Sequence, residues 1–181
     1  MRVITGEARG VPLVAPAGSA TRPTSDRLKE AIFSALGEAA GRGRVLDLFA
    51  GSGALGIEAL SRGAEWCDFV DSSPVACRAI AANLARTKLA ERGRIHPVPV
   101  SRFLAAGSGR YDLVLLDPPY AFPELHALLD RLGAAPVIGS ETTVLLEHAS
   151  RHAPSPAIGP LPLVKSRGHG DSAYTIYASL T

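Results

Sequence analysis

A chain of 181 residues, 46% hydrophobic and 20% charged, has the composition of a globular protein and the length of a single domain. It contains neither an apolar run that could cross a membrane nor a signal-peptide pattern at its start, and its two cysteines form neither a disulfide framework nor a metal-ligand cluster. We therefore expect a soluble, cytoplasmic protein without a metal. Basic residues outnumber acidic ones by five to three in residues 1–30 and by three to one in residues 151–181. Basic flanks around an acidic centre would suit a polyanion that binds beside a cationic cofactor.

The first part of the chain predicts a hairpin followed by a helix. Residues 2–5 and 11–14 are β-prone pieces separated by glycine-containing turn material. A segment rich in Pro, Gly and Ser, residues 16–23, then leads into a run with apolar residues at helical spacing (28, 31, 32, 35 and 36). Thr24, Ser25 or Asp26 can cap the start of this helix.

From residue 44 onward strands alternate with helices, which predicts a mostly parallel sheet covered on both faces. The predicted strands are 45–49, 67–71, 95–100, 111–116 and 142–147, and the predicted helices end near residue 61 and span 74 to about 88. Prolines at 97 and 99 place the third strand near an edge. Residues 161–164 and 174–178 flank a glycine-containing loop, which predicts an antiparallel hairpin that closes the sheet.

The first motif with chemical content is the stretch DLFAGSGALG, residues 47–56. Glycines after a buried strand let the backbone turn sharply and approach a ligand, and the following helix offers free N–H groups. Asp71, at the end of the second strand, can accept hydrogen bonds from two ribose hydroxyls. A dinucleotide site also fits this pattern. Asp47 favours another ligand, because a carboxylate there would repel phosphates but suits the sulfonium and ammonium groups of S-adenosylmethionine.

The second motif is Asp117-Pro118-Pro119-Tyr120, which directly follows the most apolar strand. In open α/β sheets, ligands bind beyond the carboxyl ends of the strands, so both motifs point to one site. An aromatic exocyclic amine is a poor nucleophile. Hydrogen bonds from its N–H groups to the Asp117 carboxylate and the Pro118 carbonyl would favour the pyramidal geometry that methyl transfer needs. The Tyr120 ring offers a surface on which an extruded base can stack.

These motifs resemble those of the class I amino-group methyltransferases. The run TRPTSDRLKEAIFSAL (residues 21–36) and the extended first motif narrow the resemblance to the RsmD-type methyltransferases, which modify a guanine N2 in small-subunit (16S) ribosomal RNA. The resemblance extends over nearly the whole chain. It implies a class I, Rossmann-like α/β fold with a mostly parallel seven-stranded sheet, an antiparallel last strand, and an N-terminal β-hairpin and helix. It also implies one methyltransferase domain, with residues 1–37 as an extension and 43–181 as the catalytic core.

The resemblance assigns roles to residues of both motifs and of the N-terminal run. Residues 22–27 would fold over the site and help to bind cofactor or RNA. Where many class I enzymes carry an acid after strand three to meet the adenine amino group, this chain has Ser101, and we predict that Ser101 or backbone groups take that role. The predicted cofactor residues are Asp47, Ala50, Gly51, Gly53, Asp71, Ser72, Ser101 and Asp117; the predicted catalytic residues are Asp117, Pro118 and Tyr120; and the predicted substrate residues are Pro119, Tyr120, Arg22, Thr24 and Arg27.

The expected protein is a monomer that uses S-adenosylmethionine to methylate ribosomal RNA within an assembled small ribosomal subunit, by direct transfer to a flipped guanine. A DNA adenine-N6 methyltransferase needs the same chemistry and remains an alternative. So does an RNA-binding protein that keeps a methyltransferase scaffold without catalysis. Protein glutamine methyltransferases usually carry Asn where Asp117 stands, and a nicotinamide enzyme is the most distant alternative.

Overall fold

The computed structural model describes residues 1–17, 25–107 and 109–179. Helices and strands alternate along most of this part of the chain. Two short 3-10 helices, Gly37–Gly41 and Ala90–Arg92, lie between the longer elements. In chain order, the α-helices and strands are α1 Asp26–Leu36, β1 Arg44–Leu48, α2 Ala54–Ser61, β2 Trp66–Val70, α3 Pro74–Thr87, β3 Gly93–His96, α4 Val100–Ala106, β4 Leu113–Leu116, α5 Leu125–Ala134, β5 Thr143–Ala149, β6 Ala157–Ile158, β7 Leu161–His169 and β8 Ser172–Tyr177.

The strands form one sheet in the order β3-β2-β1-β4-β5-β8-β7-β6. Strands β1 to β5 pair in parallel, and β8 inserts between β5 and β7, antiparallel to both. The predicted α/β fold, with a mostly parallel sheet and an antiparallel last strand, is therefore confirmed. The described sheet has eight strands rather than the predicted seven, because the two-residue β6 pairs with the outer edge of β7.

Two hydrophobic cores lie on opposite faces of the sheet, because neighbouring residues of a strand point to opposite sides. Leu115 and Leu145 belong to the core that includes residues of α1, α2 and α3. Leu116 and Leu146 belong to the core that includes residues of α4 and α5. Strand β4 is continuously apolar because both of its faces are buried.

Two segments in the first hundred residues differ from the sequence-based predictions. The predicted third strand, 95–100, is wrong at its end, because β3 stops at His96 and Val100 begins α4. Pro97 and Pro99 have no N–H to donate to a neighbouring strand, so the chain leaves the sheet there. The predicted N-terminal hairpin is reduced to one antiparallel bridge between Arg2 and Pro12, flanked by a few backbone hydrogen bonds.

The C-terminal hairpin is longer than predicted, because β7 continues to His169. His169 pairs with Ser172 across a two-residue turn, and Gly170 has a φ of 65°. A positive φ at the first central position of such a turn, and not at the second, is typical of the type II′ turn, whose twist matches that of a β-hairpin. Among the described residues, no helix combines the length and the apolar character needed to cross a membrane.

Candidate methyltransferase active site

Four parallel strands end at the same level of the sheet and bring the predicted site residues together. Leu48 of β1 lies between Val70 of β2 and Leu116 of β4, and Val70 pairs with His96 of β3. Asp71 and Asp117 are the residues that follow β2 and β4, so they flank the turn that follows β1. The backbone N–H of Asp117 donates to the carbonyl of Leu48 at 3.4 Å, which joins the two motifs directly.

The turn between β1 and α2 has an unusual backbone. Phe49 has a φ of 59°, which is uncommon for an aromatic residue, and Gly51 and Gly53 have φ values of 56° and 76°. The Asp71 carboxylate holds this turn, because its Oδ2 accepts a hydrogen bond from the Gly51 N–H at 2.9 Å. Its Oδ1 accepts from the N–H of Ser73 at 2.8 Å. Two carboxylate oxygens offer about four acceptor positions, so Asp71 keeps capacity for further hydrogen bonds.

Asp47 lies beneath the turn with 1% of its surface exposed. Its Oδ2 accepts a hydrogen bond from the Gly56 N–H, in the first turns of α2, at 2.9 Å. Burial raises the pKa of Asp47 to about 8, this hydrogen bond lowers it, and the negative charge of Asp71 raises it further. The structure thus shows Asp47 positioning α2. The predicted contact of Asp47 with the positive charges of a cofactor stays a prediction.

The start of α2 packs against β2 with no space for a side chain at Gly56. A Cβ atom added there would lie 2.4 Å from the Phe69 ring and 2.7 Å from the sulfur of Cys67. Because of this close approach, the glycine turn and the free N–H groups at the start of α2 lie at the edge of the sheet where β1 ends. Ala50 belongs to the same turn, and its N–H donates to the carbonyl of Val70 at 3.1 Å.

A cleft of about 300 Å³ opens beside the turn. Asp71, Ser72 and Ser101, three of the predicted cofactor residues, line it. Ser101 lies in the first turn of α4 and is exposed, rather than following a strand as predicted. The remaining lining residues are Phe49, Pro99, Val100, Phe122, Glu124, Leu128 and Arg131. Binding sites for small molecules commonly combine apolar walls with a few polar groups in this way.

Three of these lining residues carry chemistry that the sequence reasoning missed. The rings of Phe49 and Phe122 meet edge to face with their centroids 5.3 Å apart, which links the glycine turn to the loop after the Asp-Pro-Pro-Tyr motif. Glu124 places a carboxylate in the same cleft as Ser101. The sequence contained no local signal for Glu124, because it lies 23 residues further along the chain than Ser101.

The Asp-Pro-Pro-Tyr loop turns tightly after β4. The carbonyl of Pro119 accepts a hydrogen bond from the N–H of Phe122 at 2.8 Å, so the loop bends back toward the cleft. Asp117 is half-buried, Pro118 is buried and Pro119 is exposed. The loop therefore keeps Asp117 half-buried next to the end of β1 and leaves Pro119 exposed.

The hydroxyl of Tyr120 is held by the C-terminal strands. It donates to Oε1 of Glu147 in β5 at 3.3 Å, and it forms a short hydrogen bond with the hydroxyl of Ser172 in β8. Burial raises the pKa of Tyr120, the hydrogen bond with Ser172 lowers it, and the charges of Glu147 and Asp117 raise it. The phenol is therefore protonated at neutral pH, and the ring has a fixed orientation.

A buried ionic network, also missed at the sequence level, attaches the N-terminal segment to α2. The Glu58 carboxylate accepts hydrogen bonds from the N–H groups of Ile4 and Thr5 at 2.8 and 3.0 Å. Its Oε2 lies 3.3 Å from Nζ of Lys29, and both side chains are fully buried. Arg62, one turn along the same helix, donates to its Oε1 at 2.9 Å. Glu58 thus connects residues 1–5, α1 and α2.

Asn83 of α3 makes a second connection that the sequence reasoning missed. Its side-chain amide donates to the carbonyls of Val14 and Ser52, both at 2.9 Å, and its oxygen accepts from the N–H of Val14 at 2.8 Å. Ser52 lies within the glycine turn. These bonds tie the turn to the N-terminal segment through a side chain that is fully buried.

Of the predicted substrate residues in the N-terminal run, the structure describes Arg27 alone. Arg27 is exposed in the first turn of α1, which Ser25 caps by accepting from the N–H of Leu28 at 3.1 Å. Arg22 and Thr24 lie outside the described residues. Among those described, no group of three or more His, Cys, Asp or Glu side chains is arranged to hold a metal ion.

The strand order, the glycine turn and the acid after β2 define the fold of the class I S-adenosylmethionine-dependent methyltransferases. A solved structure from Streptococcus mutans, provisionally described as an S-adenosylmethionine-dependent methyltransferase, is 14% identical and shares this fold with a TM-score of 0.66 over 84% of this chain and 48% of its own. The S-adenosylmethionine-dependent methyltransferase from Agrobacterium tumefaciens is 20% identical, with a TM-score of 0.63 over 87% of this chain and 63% of its own. The chain belongs to the family described as Conserved hypothetical protein 95, whose model matches residues 1–178. This match, together with the relatives below, confirms the resemblance to the RsmD type.

Two proteins named as ribosomal RNA methyltransferases are similar to this chain over nearly its whole length. YlbH of Bacillus subtilis, provisionally named an rRNA methyltransferase, is 38% identical over 98% of both chains. Ribosomal RNA small subunit methyltransferase D of Escherichia coli is 30% identical over 98% of this chain and 89% of its own. The solved structure of yhhF, also from E. coli and described as a methyltransferase, has a TM-score of 0.86 at 30% identity, with 100% and 99% of the two chains covered.

Proposed function

We propose that this protein transfers a methyl group from S-adenosylmethionine to the exocyclic N2 amine of a guanine in small-subunit (16S) ribosomal RNA. The observation that carries the proposal is the hydrogen bond from the Asp117 N–H to the Leu48 carbonyl. It puts the Asp-Pro-Pro-Tyr loop directly beside the turn and cleft that suit the methyl donor. The rRNA methyltransferases among the relatives support ribosomal RNA as the substrate.

The cleft fits the parts of S-adenosylmethionine. Asp71 has acceptor capacity left for the two ribose hydroxyls, and the rings of Phe49 and Phe122 offer apolar surface for the adenine. Ser101 and Glu124 are polar groups in the same cleft that can meet the adenine amino group. The turn at Ala50, Gly51 and Gly53 lies over the carboxyl group of Asp47, whose ionised form suits the positively charged end of the donor. When bound, this cofactor supplies an electrophilic methyl group on a sulfonium.

The residues of the chain prepare the amine as the nucleophile. The amine donates one N–H to the carboxylate of Asp117 and the other to the carbonyl of Pro118, which turns its lone pair out of the plane of the base. The two prolines fix the direction of that carbonyl. Tyr120, held by Glu147 and Ser172, and Pro119 contact the face of the base. The chemistry needs no covalent intermediate on the protein, and orienting the two reactants can supply several kcal/mol of the roughly 7–11 available from proximity.

A guanine within folded RNA has to leave its stack to reach this loop, at a cost of a few kcal/mol. Arg27, on the exposed first turn of α1, and residues 22–24, which directly precede this helix, are the proposed contacts for the RNA around that base. We propose the assembled small subunit as the substrate and a monomer as the active form.

The decisive experiment identifies the methylated nucleoside. Purified protein and radiolabelled S-adenosylmethionine are incubated with small ribosomal subunits from a strain that lacks the enzyme, and the digested RNA is separated into nucleosides. We expect label in N2-methylguanosine with the wild type. With Asp117→Ala we expect a rate at least about a hundredfold lower and nearly unchanged cofactor affinity, as for loss of one transition-state hydrogen bond. Unchanged turnover in this variant would contradict the assigned mechanism.

The same experiment separates the alternative functions. Label in DNA adenine when DNA replaces the subunits would keep the amine chemistry and change the substrate. An RNA-binding protein on a methyltransferase scaffold would bind the RNA but transfer no label to any of these substrates.

A further inference from the structure

The tip of the β7–β8 hairpin lies at the same edge of the sheet as the catalytic loop. β8 runs antiparallel to β5, so the turn at residues 170–171 lies where β5 ends. The N–H of Ser150, directly after β5, donates to the carbonyl of Asp171 at 2.8 Å. Ser172, the first residue of β8, holds the hydroxyl of Tyr120. The hairpin tip is therefore attached both to the end of β5 and to the Asp-Pro-Pro-Tyr loop.

The side chains of β7 point alternately to the two faces of the sheet. Ser166 and Thr175 face the same side of the sheet, where their hydroxyl groups form a hydrogen bond at 2.9 Å. Residues 165, 167 and 169 consequently face the other side, the one from which Ser172 reaches Tyr120, because directly paired residues share a face. His169 pairs directly with Ser172, and Arg167 pairs with Tyr174. The basic side of this hairpin is thus continuous with the catalytic loop.

Positive charge is concentrated around this tip. Residues 149–173 contain three basic residues, Arg151, Lys165 and Arg167, and one acidic residue, Asp171. Arg151 lies in the loop after β5 next to Ser150, and both Arg151 and Arg167 are exposed. The described hydrogen bond of the Arg167 side chain is made to the carbonyl of the preceding residue, at 3.0 Å. This bond leaves four of the five guanidinium donors for a ligand.

We propose that the hairpin tip binds the phosphates that flank the target guanine, through Arg151 and Arg167, with His169 between them and the Tyr120 loop. This inference rests on the proposed function and adds a second RNA contact to it, at the opposite end of the chain from Arg27. An RNA strand whose phosphates bind at the hairpin tip passes beside Ser172. The base next to those phosphates can then reach the Tyr120 ring. Phosphate contacts of this kind set the register of a nucleic acid without reading its sequence.

The test measures RNA binding and methylation for Arg167→Gln, Arg151→Gln and the double variant between 50 and 200 mM salt. Arg110→Gln is the control, because Arg110 is also exposed but lies just before β4, at the opposite edge of the sheet. Each hairpin substitution should raise the Kd and KM for RNA about fivefold to tenfold near 0.1 M salt, and lower the slope of log K against log salt by about one. The Kd for S-adenosylmethionine should not change, and Arg110→Gln should behave as the wild type.

The probes are protein-free small-subunit RNA and small subunits from a strain that lacks the enzyme. If the wild type methylates RNA and the hairpin variants match Arg110→Gln in Kd and salt slope, the inference is overturned and the proposed function stands. If the wild type methylates no RNA, the proposed function fails, and the salt slopes of direct binding still decide whether the hairpin contacts phosphates. A loss of affinity seen with subunits but not with protein-free RNA would overturn the inference, because it would assign the tip to a ribosomal protein.

Discussion

The Nζ of Lys29 lies 3.3 Å from Oε2 of Glu58, and both side chains are fully buried. Burial lowers the pKa of Lys29, and the charge and hydrogen bond of Glu58 raise it. A buried charge that loses its partner is costly, at about 3–5 kcal/mol. We therefore expect Lys29→Met to lower the free energy of unfolding by about 3 kcal/mol, measured by urea denaturation.

The double variant tests whether this cost comes from the pair. Lys29→Met combined with Glu58→Gln removes both charges, so its loss should be clearly smaller than the sum of the two single losses, as expected for residues in contact. Strictly additive losses would show that the two charges do not stabilise each other.

Asp71 holds the glycine turn and is proposed to bind the ribose of the cofactor, and substitution by Asn should affect these two tasks differently. Asn keeps the size of the side chain and one oxygen that can accept from Gly51, but its amide group cannot accept the N–H of Ser73 or a ribose hydroxyl. We expect the Kd for S-adenosylmethionine, measured by calorimetry, to rise about tenfold to a hundredfold, the scale of one hydrogen bond to a charged group. Asp130→Asn, at an exposed position of α5, is the matched control. Equal affinities in the two variants would refute the ribose contact.

The hydroxyl of Tyr120 can be removed without its ring. Tyr120→Phe loses the bonds to Glu147 and Ser172, so the ring should no longer be held in one orientation. We expect kcat for RNA methylation to fall about tenfold, because a misplaced reactant loses part of the gain from proximity. The Kd for the cofactor should be unchanged.

Ser172→Ala removes one of these two bonds and should have a smaller effect in the same direction. Ser166→Ala is its control, because Ser166 lies in the same hairpin but bonds Thr175 on the other face of the sheet. If Ser166→Ala and Ser172→Ala reduce kcat equally, the hydrogen bond between Ser172 and Tyr120 does not explain the effect on catalysis.

Asp47 should make both stability and cofactor affinity depend on pH. Its pKa of about 8 in the folded protein lies far above the value near 3.9 of an unfolded chain. The folded state thus binds the extra proton, so its contribution to stability is full below pH 4 and is lost as the pH rises to 8, by up to about 1.4 kcal/mol per pH unit. Asp47→Asn, whose oxygen can still accept from Gly56, should remove this slope in urea denaturation.

A positively charged cofactor favours the ionised form of Asp47, so its affinity should rise between pH 6 and 8 in the wild type but not in Asp47→Asn. Calorimetry over this range measures the effect. The same pH dependence in both proteins would leave Asp47 with a purely structural role in holding α2.

The sequence was informative where the signal is local. The alternation of apolar strands and helices predicted the parallel sheet, and the positions of the two motifs directly after β1 and β4 predicted that they meet. Prolines 97 and 99 carried a local signal as well. They correctly placed the third strand at the edge of the sheet, but that strand ends before Pro97 and the chain turns into α4. The glycine-containing loop before residue 174 likewise predicted the antiparallel hairpin that closes the sheet, and the resemblance to the RsmD type added the class I methyltransferase fold.

The rest depends on contacts between residues far apart in the chain. Glu58 meets Ile4 across 54 positions, and Tyr120 meets Ser172 across 52. An acid inside an otherwise apolar helix is a sign that Glu58 is paired, but nothing in the sequence identifies its partners. The structural role of Asp47 was missed for a related reason, because its burial beneath the turn depends on how closely Gly56 packs on β2.

Phe49 is held at a φ of 59° by the strands and side chains around it, a conformation that costs about 1–3 kcal/mol for a residue with a side chain. The turn it belongs to therefore stores strain, which lowers the free energy needed to open it locally compared with an unstrained turn. Warming should thus abolish cofactor binding at a temperature at which the sheet is still intact. Bound S-adenosylmethionine should stabilise the turn. It should therefore raise the temperature at which the turn opens more than the temperature at which the sheet unfolds.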